Sequence, residues 1–171
     1  MQITWTPEEQ EFRATLRSFL EEVDMGKPPK DKAGRVNWAR QWNAVLFDNG
    51  FAGPSWPKEV GGMGLDVRSQ VIYSEELGRA RVPAPPGNGV GMCGPTLIKY
   101  GTDEQKKRFL RPMLRSDEVW AQAFSEPGAG SDLQSLTTTA RRDGDEYVVN
   151  GQKVWNSAAD VSDMAFTLVR T

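Results

Sequence analysis

Apolar residues recur at intervals of three and four up to Ser116 and at intervals of two beyond it. The first spacing gathers side chains on one face of a helix, and the second alternates them across a strand. Phe12, Leu16, Phe19, Leu20 and Val23 mark one amphipathic helix, with Thr6 as N-cap, Pro7 at the first position and Glu9 closing a capping box. A second helix is predicted from about Asn37 to Asp48, carrying Trp38, Trp42, Val45 and Leu46 on one side and stopped by Asn49-Gly50. A third runs from Asp66 through Leu77, and a fourth from Thr102 to about Met113, where Thr102 and Gln105 pair in another capping box. The stretch FAGPSWPKEVGGMGL breaks the chain, and RVPAPPGNGVGMCGP reads as too rich in Pro and Gly for a regular helix.

Past Ser116, EVWAQAF alternates and LTTTARRD is rich in β-branched residues. DEYVVNGQKVW holds two strand runs, and Asp143-Gly144 and Asn150-Gly151 stand where tight hairpin turns are needed. MAFTLVRT adds a further strand, so an antiparallel meander is predicted. The fold class is therefore α+β, with an N-terminal helical bundle over residues 1–116 and a partial antiparallel β-domain over residues 117–171. So few strands leave a sheet edge exposed, which natural folds avoid, and a piece of a longer protein is expected.

Composition narrows the chemistry. The 171 residues include 21 Lys and Arg against 23 Asp and Glu, a net charge of -2, which argues against nucleic acid as a main partner. A lone cysteine, Cys93, forms no internal disulfide, and no apolar run resembles a signal peptide or a membrane span, so a cytoplasmic protein is expected. The chain has no histidine, which removes the usual general base, the usual zinc ligand and any Ser-His-Asp relay; no metal site is expected. Chemistry has to rest on carboxylates or on a bound cofactor.

The sequence AFSEPGAGSD, residues 123–132, offers such a cofactor a place. Gly128 and Gly130 let successive N–H groups turn toward an anion, and Ser125 and Ser131 add hydroxyls. The spacing matches neither the Walker pattern nor the dinucleotide Gly-x-Gly-x-x-Gly, and a plain Gly-rich connection explains the local residues equally well. Glu126 precedes Pro127 in a tight turn and Asp132 can bond its own backbone, so both read as structural and no catalytic residue is assigned.

The longer stretch AQAFSEPGAGSDLQSLTTTARRDGDEYVVNGQKVWNSAA resembles the start of the middle β-domain of the acyl-CoA dehydrogenase family. The likeness lies in the Ser-Glu-Pro-x-Ala-Gly-Ser-Asp run, then Gly-Asp-x-Tyr and Asn-Gly-x-Lys-x-Trp. Upstream, AGPSWPKEVGGMGL, SEELGRA and GPTLIKYGTDEQKKRFL resemble the family's N-terminal helical domain. The resemblance implies FAD as cofactor, bound by Gln122, Phe124, Ser125, Gly130 and Ser131 in a first segment and Trp155, Asn156 and Ser157 in a second. It puts Phe124 and Ser125 beside the pyrimidine side of the flavin, Ser131 at the phosphate region shared with acyl-CoA, and the Trp155 indole on the ring with the Ser157 hydroxyl near N5. Asn156 stands where the family commonly carries an apolar residue or threonine. Asn88 to Gly94 falls near the deep end of the acyl pocket, where Met92 and Cys93 could line it or simply pack in the core.

The implied reaction converts acyl-CoA to 2-enoyl-CoA: a carboxylate removes the α-proton and the β-hydrogen leaves as hydride to FAD. The carboxylate belongs to a C-terminal helical bundle that this sequence does not contain. An electron-transferring flavoprotein takes the electrons, and the parent protein is expected to be a homo- or hetero-oligomer. Two other readings stay open: a non-catalytic partner subunit of a heteromeric dehydrogenase, and an interaction module with a vestigial β-domain.

Overall fold

A computed structural model describes residues 4–171. Helix α1, Pro7–Glu22, opens as its sequence dictates: the Thr6 hydroxyl accepts from the Glu9 N–H while the Glu9 carboxylate accepts from the Thr6 N–H. Helix α2 spans Lys32–Asp48 and so begins five residues before the predicted Asn37. Asp31 caps it by accepting from the Gly34 N–H, and the added first turn is polar, which is why apolar spacing did not reveal it. Helix α3, Val67–Arg79, is capped by Asp66.

The Pro- and Gly-rich stretch holds more helix than expected. A single π-helical turn, Gly89–Cys93, leads directly into helix α4, Gly94–Tyr100. Pro95 sits in the first turn, where its missing N–H costs nothing, and Gly94 lets the Trp56 ring come close. A Cβ at Gly94 would lie 1.9 Å from Trp56 Cζ2. The same indole donates to the Val90 carbonyl at 3.0 Å, so Trp56 pins the whole stretch. Helix α5, Asp103–Arg115, follows with the Thr102–Gln105 capping box in place.

Helix α1 packs on α3, α2 on α5 and α4 on α5. Leu16, Leu46, Trp56, Tyr73, Met113 and Leu114 centre the core. A charged group, Glu76, lies among these side chains. Glu76 of α3 is 1% exposed and meets Arg17 and Arg13 of α1 and its neighbour Arg79, at 2.7, 2.8 and 3.1 Å. The Arg17 guanidinium above all, helped by the other two, holds the Glu76 carboxyl down to about 2 against its burial.

Four strands follow: β1 Trp120–Ala123, β2 Thr139–Asp143, β3 Glu146–Asn150 and β4 Met164–Thr167. The α+β class stands, while the pairing corrects the predicted meander. Strands β2 and β3 form an antiparallel hairpin, but β1 and β4 pair in parallel, Trp120 opposite Met164 and Ala123 opposite Thr167. Alternation fixes which side chains share a face and is silent on strand direction. The hairpin turn is Gly144-Asp145, one residue beyond the expected pair, with Gly144 at φ +62. Asn150-Gly151 makes no turn of this kind, and Gln152 to Trp155 is not a strand. There the chain leaves the hairpin so near β2 that a Cβ on Gly151 would lie 2.2 Å from Thr138 Oγ1. Strand β1 ties the strands to the helices: Trp120 is buried in the helical core, edge-on to Phe109 at 5.3 Å.

Candidate functional site

Residues of one β1 face alternate between core and cleft. Trp120 points into the core, and Gln122, two residues on, lines a cleft of about 90 Å³ beside the Asn88 side chain. The Asn88 N–H donates to the Trp120 carbonyl at 2.7 Å, so the π-helical turn begins against this strand. After β1 the chain turns through Phe124 and Ser125, both of which line the cleft. The Phe124 ring packs on Phe166 of β4, centroids 5.1 Å apart.

The opposite wall comes from residues 154–157. Val154, Trp155 and Ser157 line it, and the Val154 N–H donates to the Ser125 carbonyl at 2.9 Å. Trp155 is 89% exposed and takes φ +60, a left-handed conformation that a bulky residue adopts only when its surroundings hold it there. The Asn156 amide lies against the carbonyls of Gln122 and Val154, and with its nitrogen turned toward them it donates at 3.2 and 3.1 Å. It braces the back of the cleft.

Five of the eight residues singled out in the sequence thus line one cleft: Gln122, Phe124, Ser125, Trp155 and Ser157. Asn156 lies directly behind them, whereas Gly130 and Ser131 are exposed farther along the loop and are not brought to this cleft. Asn88 and Val154 complete the lining and were missed as partners of the ring site; only the short Asn-Gly and Asn-Gly-x-Lys-x-Trp motifs pointed to their neighbourhoods. Cys93 is buried in the core, where desolvation pushes its thiol up to about 11, and Met92 lies at the surface. Their neighbours Val90 and Gly91 instead line an apolar cavity of about 330 Å³ with Leu46, Tyr73 and Leu77.

Glu126 is buried beneath the loop. Its Oε2 accepts from the Thr137 N–H at 2.6 Å and the Thr137 hydroxyl at 2.8 Å; its Oε1 accepts from the Thr138 N–H and from Lys153 Nζ, each at 2.8 Å. Lys153 first, with the two N–H groups adding to it, holds this carboxyl far below the ordinary range. Such a carboxylate stays ionised and has no free lone pair aimed at the cleft. Asp132 is exposed, and its side chain does not cap the short 3-10 turn Leu133–Ser135 that follows it. Among the described residues no cluster of His, Cys, Asp and Glu could hold a metal ion, and no helix is long and apolar enough to cross a membrane.

What this arrangement suits is the edge of a flat aromatic ligand. An exposed indole offers a stacking face, while two hydroxyls and a carboxamide stand at the rim. Comparison with known proteins agrees in family. Residues 6–117 match the N-terminal domain of acyl-CoA dehydrogenases and residues 121–171 match their middle domain. The chain is 43% identical over 171 residues to acyl-CoA dehydrogenase IpdE1 of Mycobacterium tuberculosis, covering 95% of this chain and 44% of that protein. The structure is similar to the ChsE4-ChsE5 complex from Mycobacterium tuberculosis, with TM-score 0.83 and 40% identity over 100% of this chain and 44% of that one. It is also similar to the Tcur3481-Tcur3483 steroid ACAD, with TM-score 0.79 and 39% identity over 100% of this chain and 45% of that one. The chain therefore spans less than half the length of the relatives it matches. With its helical and its strand-bearing segments both matched, the chain belongs to the acyl-CoA dehydrogenase family.

Proposed function

We propose that the chain is the N-terminal portion of a flavin-dependent dehydrogenase that oxidises acyl-CoA to 2-enoyl-CoA, with residues 1–116 as its helical domain and 117–171 as the start of its middle domain. The observation that carries this reading is the cleft in which a strained, exposed Trp155 faces Ser125 and Ser157. FAD, when bound, supplies the hydride acceptor. Toward it, Trp155 would cover one face of the ring, and the Ser125 and Ser157 hydroxyls would donate to its polar edges, where fixed donors favour the reduced form. Gln122 and Phe124 shape the rim, and Asn156 holds the Gln122 and Val154 carbonyls in place. Gly130 and Ser131 belong to the phosphate region, Ser131 also on the acyl-CoA side. Among the described residues no carboxylate lines the cleft, and Glu126, beneath the loop, already accepts four hydrogen bonds. The base and the electron-transferring flavoprotein that accepts the electrons belong to the rest of the assembly.

A second reading, a partner subunit of a heteromeric dehydrogenase, is supported by the likeness to the ChsE4-ChsE5 complex. The likeness to a steroid ACAD favours a bulky apolar acyl group. The test is to mix the purified chain with FAD and acyl-CoAs, including a steroid-linked one, and follow flavin bleaching. A cleft of about 90 Å³ encloses only part of FAD, so the expected result is loss of flavin on gel filtration and no bleaching. A chain extended to the relatives' length is expected to stay yellow and to bleach. Bleaching by the 171-residue chain alone would overturn the reading, and a colourless extended chain would favour the partner subunit.

A further inference from the structure

No strand ladder joins the two walls of the ring cleft, so other contacts must set the distance between them. Lys153 reaches across it. Its ammonium donates to the Phe124 carbonyl at 2.9 Å and to Glu126 Oε1 at 2.8 Å. Its side chain is 9% exposed and that of Glu126 is 4% exposed. Next along the chain, the Val154 N–H donates to the Ser125 carbonyl. Three consecutive residues of one wall are thus tied to two consecutive residues of the other. Glu126 extends the tie to the start of β2 through Thr137 and Thr138.

We propose that Lys153 and Glu126 are a positioning pair that sets the spacing of the two cleft walls, and with it the affinity and electronic environment of the flavin ring, without touching the ring. This rests on the flavin reading of the cleft given above. A buried ammonium with two fixed acceptors is worth far more as a spacer than a surface pair, because removing it leaves a buried carboxylate short of its counter-charge. The wall that follows Lys153 carries Trp155 in a left-handed conformation, which relaxes once its anchor is lost.

Lys153→Met keeps the length of the side chain and removes its charge and donors. Glu126→Gln keeps the Lys153 bond to Phe124 and removes the ion pair, and it serves if the first variant does not fold. Asp48→Asn, which weakens the distant surface pair with Arg115, is the control for general loss of stability. The apo readout is hydrogen exchange at the Val154 amide. It is expected to quicken at least tenfold in K153M and less in E126Q, with α1 amides unchanged. The ligand readout is FAD titrated by equilibrium dialysis into each variant made in the chain extended to the relatives' length, with the absorption band of the bound flavin recorded. K153M is expected to bind at least tenfold more weakly with a shifted band, and D48N to match wild type in both. Unchanged Val154 exchange, or K153M binding FAD with wild-type affinity and spectrum, would overturn the pair's role. No binding by the extended wild-type chain up to millimolar FAD would sink the flavin reading itself, and the pair's role toward a ring with it.

Discussion

At the scale of single residues, Trp155 carries the most information. A large aromatic side chain that is 89% exposed contributes little to folding, and a left-handed backbone at a non-glycine position costs about 1–2 kcal/mol. Neither feature favours stability, which fits the stacking role proposed for Trp155. Trp155→Gly is therefore expected to leave the thermal midpoint unchanged or raise it, while weakening any FAD binding about tenfold or more. Differential scanning calorimetry alongside the FAD titration checks this, and a clear drop in midpoint would mean that the indole packs on the protein itself. Glu126 teaches the converse. A carboxylate in a Gly-rich loop invites a catalytic role in sequence, yet four donors make it a structural anchor.

Between elements, two contacts decide how the helices dock. Gly94 allows α4 to lie against Trp56, so Gly94→Ala forces the ring or the helix aside and is expected to cost about 1–3 kcal/mol, read as a lower denaturant midpoint. The second contact is charged: α1 and α3 are joined by Glu76 with Arg13 and Arg17, and by Glu9 with Arg68. The Arg68 hydrogen bond holds the Glu9 carboxyl down to about 2, and Glu76 is held to about the same value. A folded-state value depressed from 4.5 gives stability that is fully present above about pH 4.5 and is lost as pH falls toward 2. Thermal midpoints are expected to fall across that window, and Glu76→Gln to flatten the fall while lowering stability at neutral pH. An equally steep fall in the variant would show that Glu76 is not what acid titrates.

Across the whole molecule, stability is distributed unevenly. The helices share one core with Trp120, whereas β3 is exposed along its full length and leaves Tyr147, Val148 and Val149 open. Within β2 only Ala140 is buried. Few buried contacts mean cheap local opening, so native-state hydrogen exchange is expected to release the β2–β3 amides well before those of α1 and α5. Equal protection in both regions would show that the hairpin is held by something other than its own ladder. The exposed Tyr147, Val148 and Val149 of β3 are also the kind of strand surface that another chain segment covers.

The division between what was legible in the sequence and what was not follows the range of each interaction. Caps and amphipathic spacing act within one turn, so Thr6 with Glu9, Thr102 with Gln105, and the apolar stripe of α1 were readable directly. The family was legible too, because the motifs that carry the resemblance keep fixed local spacing. Helix α4 was hidden, since what holds it is Trp56, some forty residues upstream, and propensity alone counts its Gly and Pro against it. The parallel pairing of β1 with β4 was hidden because alternation is the same in either direction. Lys153 carried no signal in the sequence beyond its place in Asn-Gly-x-Lys-x-Trp, and only the fold set it beside Phe124 and Glu126. The sequence by itself determined helices α1, α2, α3 and α5, the positions of the four strands and the segments that carry the family resemblance. Only the tertiary structure decided which way the strands run and which buried charges hold the cleft, since both depend on contacts between residues far apart in the chain.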